Sequence, residues 1–236
     1  MSEAAARYAL YFAPRADTPW WSLLSRWLGY DAATGRAVER LPVPGLDREA
    51  MQRVTAHPRR YGGHATLKAP FRLAAPYAEA DLVRAVDDYA AGQSAFVLPP
   101  LRVEQLSNFF ALTPAQPDAR INRIADDCTT QFDRFRAPSS EAETARRLRE
   151  PLDAVALALL EQWGYPHVLQ RYRFHLSLTG TLDDESPQVV ETVRDAAREV
   201  FDGLAAPAPD FDAVCIFRQS APADDFILCH RAVFAS

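Results

Sequence analysis

Apolar and polar positions alternate along the chain in blocks that predict short strands and longer helices. Tyr8 to Ala13 (YALYFA) is bulky and apolar, ends at Pro14, and reads as a first strand. Trp20 to Leu28 has helical spacing, with Thr18-Pro19 as cap and first turn and Gly29 as stop. Asp31 to Gly45 lacks periodicity and reads as a surface loop, and Asp47 to Ala56 as a short helix closed by Pro58. An extended run from about Gly63 to Leu73 comes next. Glu79 to Ala91 is then helical, with Leu82, Val83, Val86, Tyr89 and Ala90 on one face and Gly92 as its end. Phe96 to Leu98, Leu101 to Leu106 and Phe109 to Thr113 read as extended. Asp118 to Phe135 and Ser139 to Trp163 read as helical, the second interrupted by Pro151. A second extended run, about Tyr172 to Leu182, precedes an amphipathic helix from Ser186 to Leu204. Phe211 to Arg218 and Phe226 to Phe234 read as two closing strands.

The two long extended runs share a pattern. YGGHATLKAPF (Tyr61 to Phe71) holds His64-Ala65-Thr66-Leu67, and RYRFHLSLTG (Arg171 to Gly180) holds His175-Leu176-Ser177-Leu178. Each is His, any residue, a hydroxyl residue, Leu. The offset of 111 positions also carries Leu82 onto Val193, Val86 onto Ala197, Tyr89 onto Val200, Ala90 onto Phe201 and Gly92 onto Gly203. Strand, helix and two strands thus recur, in units of about 60–113 and 171–234, with a helical linker of about 118–164. Two copies suit a duplicated domain rather than a solenoid, which needs at least three repeats. The expected fold class is α+β. Two pseudo-symmetric lobes, each an antiparallel sheet with helices on its outer face, would meet across a central cleft, forming one bilobal domain over residues 1–236.

Composition narrows the function. The formal net charge is −5, which argues against long nucleic acid or an anionic membrane as partner. No apolar run reaches membrane-spanning length, and MSEAAARYALYFAP lacks a basic segment followed by a long apolar one. Cys128, Cys215 and Cys229 are odd in number and have no Cys-x-x-Cys spacing, so packing is their expected role, and a cytoplasmic location is expected. Lys68 is the single lysine among 26 basic residues, and it stands inside the first motif. A lysine kept there suggests that a compact ammonium is needed, as a phosphate ligand; the alternative is that a single lysine had to fall somewhere.

On a strand, residues two apart share a face, so His64 would stand beside Thr66 and His175 beside Ser177. Imidazoles with neighbouring hydroxyls suit proton transfer around a phosphate. The alternative for either histidine taken alone is a core side chain satisfied by backbone groups. His57, His167 and His230 lack a hydroxyl two positions on and read as structural or exposed. Arg59-Arg60 and Arg146-Arg147 read as solvated faces. Tyr11, Tyr61, Tyr172 and Arg218 could line a cleft, with core or surface roles equally open.

HATL and HLSL, with their flanks, resemble the 2H phosphoesterase superfamily, which is defined by two His-x-Ser/Thr motifs in related α+β lobes. The flanks, RYALYFAP, WLGYDAATG, WGYP and IFRQ more closely resemble its branch associated with phosphonate-metabolism operons, usually described as a domain of unknown function. Gly63 departs from the pattern, standing where a larger apolar residue is expected, and is expected to loosen the first strand. The resemblance implies a hydrolase that needs no metal or cofactor and acts on a phosphodiester, such as a cyclic phosphate on a small ribose- or nucleotide-like molecule. His64 and His175 would be general acid and base, in an order left open, with Thr66 and Ser177 as phosphate ligands; Lys68 is added to the phosphate ligands on its place as the single lysine inside the motif, not on the resemblance. A non-catalytic module that binds phosphate ligands or RNA in the same cleft is the alternative.

Overall fold

Capping residues start most of the helices, and the sheet is built from the short apolar runs between them. In the computed structural model, which describes residues 6–149, 151–204 and 207–235, the chain begins with β1 (Arg7–Phe12) and α1 (Pro19–Leu28). A small hairpin of β2 (Tyr30–Asp31) and β3 (Arg36–Ala37) leads to α2 (Arg48–Arg59), β4 (Ala65–Arg72) and α3 (Glu79–Ala90). β5 (Phe96–Val97), β6 (Leu101–Leu106), β7 (Phe109–Pro114) and α4 (Ala119–Gln131) follow, then α5 (Glu141–Arg147) and α6 (Ala154–Trp163). The chain closes with β8 (Leu176–Ser177), α7 (Pro187–Phe201), β9 (Asp210–Phe211), β10 (Ala213–Gln219) and β11 (Ile227–Val233).

Thr18, Asp47, Asp118, Ser140, Asp153 and Ser186 each accept a backbone N–H of the helix they precede, a cap worth about 1 kcal/mol. Gly29 closes α1 at φ 72°, a left-handed value that a side chain would resist. α2 does not stop before Pro58, as expected, but carries it in its last turn. Proline lacks the N–H that would return to the Val54 carbonyl. That carbonyl instead accepts Gly180 N–H at 2.7 Å, which ties α2 to the segment just after the second motif.

Seven strands make one antiparallel sheet in the order β11-β10-β1-β4-β8-β7-β6. The two predicted units therefore do not form separate sheets. The hairpin β6–β7 of the first unit lies beside β8, and β10–β11 of the second lies on the β4 side. The join is narrow. β4 meets β8 through the single pair Ala65↔Leu176, and β8 meets β7 through two. The predicted strand from Tyr172 to Leu182 shrinks to two residues because the ladder bends at once. Leu178 and Thr179 N–H both turn to the Phe110 carbonyl.

One face of the sheet is the main core. Leu10, Phe12, Ala65, Leu67, Leu112, Leu176, Val214 and Ile216 pack there with Trp27 of α1, Val54 of α2, Val86 of α3, Ile124 of α4 and Phe201 of α7. Each such buried Leu or Phe contributes roughly 1.5–3 kcal/mol. Trp27 is fully buried, and its indole N–H donates to the Leu178 carbonyl at 2.9 Å, fixing the second motif to α1. The opposite face is covered over β1 and β10 by Trp21, Tyr30 and Phe226 against Ala9, Tyr11, Cys215 and Phe217.

Gly63 is not a loosening residue. A Cβ built there would stand 2.6 Å from Leu24 Cβ, so glycine lets the first motif approach α1 closely. Gly63→Ala is expected to cost about 1–3 kcal/mol by overpacking. A melting temperature several degrees lower would show it, and an unchanged one would refute the close-approach argument.

Candidate functional site

The first motif enters β4 through Gly62, held at φ 72°, whose carbonyl accepts His64 Nδ1–H at 2.9 Å. The second repeats this arrangement, with His175 Nδ1–H donating to the Arg173 carbonyl at 2.8 Å. A carbonyl only accepts, so Nδ1 holds the proton of each neutral ring. Nε2 of each is left as the atom available to take or give a proton. Thr66 Oγ1 lies 3.4 Å from His64 Nε2, as a long donor to it.

Register brings the two motifs together. The pair Ala65↔Leu176 sets His64 across from Ser177 and Thr66 across from His175. Ala65 and Leu176 are both in the main core, so all four motif side chains share the opposite face. The two histidines are then diagonal neighbours, about 7–8 Å apart between strands. They stand on adjacent strands of one sheet rather than on facing walls.

Tyr11 lies across from Thr66 on β1 and stacks on His64, with ring centres 3.9 Å apart. Tyr61 flanks the same ring at 5.6 Å. Burial pushes the His64 imidazole down to about 4, the Gly62 carbonyl opposing this and His175 adding repulsion. His175 is also lowered by burial, with the Arg173 carbonyl opposing. On its other side the register places Thr113 of β7 across from His175. Thr113 Oγ1 donates to Glu104 at 2.7 Å, and Glu104 pairs with Arg173 at 2.9 Å.

Lys68 is not brought to this group, which corrects its expected role. One extra residue separates the pairs Tyr11↔Thr66 and Leu10↔Lys68. This bulge turns Lys68 onto the side of Leu10, a main-core residue. There its Nζ donates to the Thr129 carbonyl and to Asp133, both at 3.0 Å. Tyr172 packs against the main core, its buried hydroxyl without a partner among the described residues, and Arg218 pairs with Glu79 at 3.1 Å. Neither joins the histidines. His57 packs beside Tyr61, His167 beside Tyr165, and His230 bonds Asp87 at 2.7 Å.

Of Arg146-Arg147, Arg146 is exposed as expected and Arg147 is corrected. Arg147 is half-buried, with Cζ 4.4 Å from the Tyr165 ring centre. Sequence reasoning also passed over Arg7, although its signal was present: it stands four residues before Tyr11 and so shares its face. Among the described residues, no group of three or more His, Cys, Asp or Glu gathers to hold a metal ion, and no helix is long and apolar enough to cross a membrane.

A family model described as "Protein of unknown function (DUF1045)" matches residues 66–227. A protein of Janthinobacterium sp. (strain Marseille), named ribose 1,5-bisphosphate phosphokinase PhnN, is 41% identical over 235 residues, covering 99% of this chain and 52% of the relative. A protein of the same name from Laribacter hongkongensis (strain HLHK9) is 37% identical over 178 residues, covering 75% of this chain and 41% of the relative. The chain thus spans about half the length, or less, of these curated relatives.

Proposed function

The chain belongs to the family described as Protein of unknown function (DUF1045), and within it we propose a phosphoesterase of the 2H type that opens a cyclic phosphate or phosphodiester on a small ribose- or nucleotide-like substrate. The observation that carries this reading is the shared sheet face, where two histidines with the same Nδ1 tether offer Nε2 next to two hydroxyls. His64, held neutral by burial, takes the proton of the attacking water as a P–O bond forms. His175 in its charged form gives its Nε2 proton to the leaving ribose oxygen as the other P–O bond breaks. Thr66 and Ser177 donate to the non-bridging oxygens, where charge gathers in the transition state.

The topology supports a duplication behind the site. Exchanging β1 with β7, β4 with β8 and β6 with β10 leaves the order β10-β1-β4-β8-β7-β6 unchanged. In this reading each lobe begins at β1 or β7, earlier than the motif-based units, and β11 is an addition.

The names of the relatives bear on substrate class. They speak of a ribose carrying phosphate esters, which fits a ribose phosphate here and the link to phosphonate metabolism drawn from the motif flanks. They also speak of a kinase. This chain has no G-x-x-x-x-G-K-[ST] run, and its single lysine is occupied by Asp133. We therefore assign the kinase chemistry to the portion of the relatives that this chain does not match. The direct test is ³¹P NMR of adenosine 2′,3′-cyclic phosphate with purified protein in EDTA. Conversion to a monoester is expected, and an unchanged spectrum would overturn the proposal.

The pH profile is a second test. The competent form carries one positive charge on the pair, with His64 neutral and His175 protonated on both ring nitrogens. Both rings titrate below the ordinary 6.5. The proton that His175 must hold is therefore lost as pH rises through a value below 6.5. On a cyclic substrate with no other phosphate, kcat/KM should fall through this limb and be higher at pH 5.5 than at pH 8. A limb above pH 7 would contradict the assignment.

A further inference from the structure

Three guanidiniums near the site are unused by this mechanism. Arg7 shares the face of Tyr11, is held by Gln219 through Nε at 2.8 Å, and lies 5.6 Å from the Phe226 ring centre. Phe226 stacks on Tyr61 at 5.0 Å, and Tyr61 flanks His64. From the other side α5 brings Arg146 and Arg147. Tyr61 is within electrostatic reach of both Arg7 and Arg147, and so is Tyr11, the ring stacked on His64. Among the described residues, none of the three arginines has a carboxylate at ion-pair distance. Glu143, on the same helix as two of them, is already bonded by Arg72 at 3.0 Å and by the Ser140 N–H.

This arrangement is costly without an anion. Burial depresses both Arg7 and Arg147 and Arg146 repels each, while the more distant Glu143 carboxylate opposes this without forming an ion pair with either. Half-buried cations are ordinarily paired. A cavity beside β4 is lined by Arg146, Arg147, Trp163 and Tyr165, with Lys68, Arg72 and the Glu143 carboxylate also in its wall; Arg7 stands outside this lining. The indole N–H of Trp163 is buried and has no acceptor among the described residues. Cations and an unused donor beside one cavity match a ligand rich in acceptor oxygens. Along β1, Tyr11 and Arg7 are roughly 13 Å apart at their Cα atoms, and the long arginine side chain covers part of that. A sugar-sized spacer fits between a phosphate at the histidines and one at the arginines.

We propose that Arg7, Arg146 and Arg147 form an anion subsite for a terminal phosphomonoester, so that the substrate carries a second phosphate beyond the one at the histidines. This rests on the phosphoesterase reading and names its substrate class more closely. Two of the guanidiniums can present paired N–H donors to the same phosphate, which a lysine could not do.

Calorimetric titration of the full chain with ribose 5-phosphate tests the subsite without turnover. Saturable binding is expected for ribose 5-phosphate and not for ribose. Arg7→Met and Arg147→Met should each weaken it at least tenfold, while His64→Ala leaves it within about threefold. Arg147 lies on the surface helix α5, so its variant stands even where Arg7→Met unfolds the chain. Binding that survives both arginine changes but is lost in His64→Ala would overturn the subsite, as would absence of binding. The cyclic-phosphate assay has no terminal phosphate, so its failure alone would remove the phosphoesterase reading and leave this binding result intact.

Discussion

His64→Ala and His175→Ala are each expected to lower turnover of adenosine 2′,3′-cyclic phosphate by about 10²–10⁴-fold, the usual weight of one positioned acid or base. Neither ring supports the main core; both lie on the opposite face, and each bonds only a carbonyl two residues back on its Nδ1 side. His64→Ala also removes the stack on Tyr11, so its melting temperature should fall by a few degrees, while that of His175→Ala should stay close to wild type. The two histidines act on one transition state, so the double variant should be little worse than either single one. Thr66→Val and Ser177→Ala remove single donors to developing charge and should cost about 10²-fold. Initial rates by ³¹P NMR or chromatography check all four. Wild-type turnover in either histidine variant would remove the proton-transfer roles. Losses that simply multiply in the double variant would mean that the rings serve separate steps.

The shared face of each motif was legible because a strand's period of two needs no tertiary information. The adjacency of β4 and β8 was not, because it rests on one pair, Ala65↔Leu176, between segments 111 positions apart. The second motif strand was overestimated for a related reason. Its apolar pattern continues through Leu178 and Leu182, both buried, while its backbone leaves the ladder for Phe110 and Asn108. Burial pattern and strand pairing part company there, and sequence reports only the first.

Lys68 and Arg147 illustrate the same limit. A single bulge reverses which face Lys68 takes, and nothing in TLKAPF marks where the extra residue falls. Arg147 became relevant only when α5 was placed beside Tyr165 and Tyr61. Gly63 was visible as an oddity, but its reason, the 2.6 Å approach to Leu24, belongs to the packing of α1 against the motif.

Asp133→Ala is expected to destabilise the fold by about 3 kcal/mol at neutral pH, toward the lower end for breaking a buried ion pair because the carboxylate is 24% exposed. That corresponds to a melting temperature lower by roughly 10 °C. The cause is Lys68, only 4% exposed, whose ammonium closes the last turn of α4 at the Thr129 carbonyl. Burial lowers Lys68 even with Asp133 in place. Asp133 itself is opposed by burial but held below its ordinary value by Arg136 and Lys68 together. Without Asp133, Lys68 drops further, so the folded state gives up that proton at a lower pH than the unfolded state does. The unfolded lysine stays charged until about 10.5, so the deficit is full at neutral pH and shrinks as pH rises toward that value. Lys68→Met should be far milder, about 1 kcal/mol. Arg136 still holds Asp133 at 2.7 Å, and only the Thr129 carbonyl loses its donor. It should also turn over cyclic phosphate at the wild-type rate. Thermal melts of both variants between pH 7 and pH 10 decide the matter. Equal damage from the two, or a deficit in Asp133→Ala that does not shrink with pH, would show that the pair is not held together in this way.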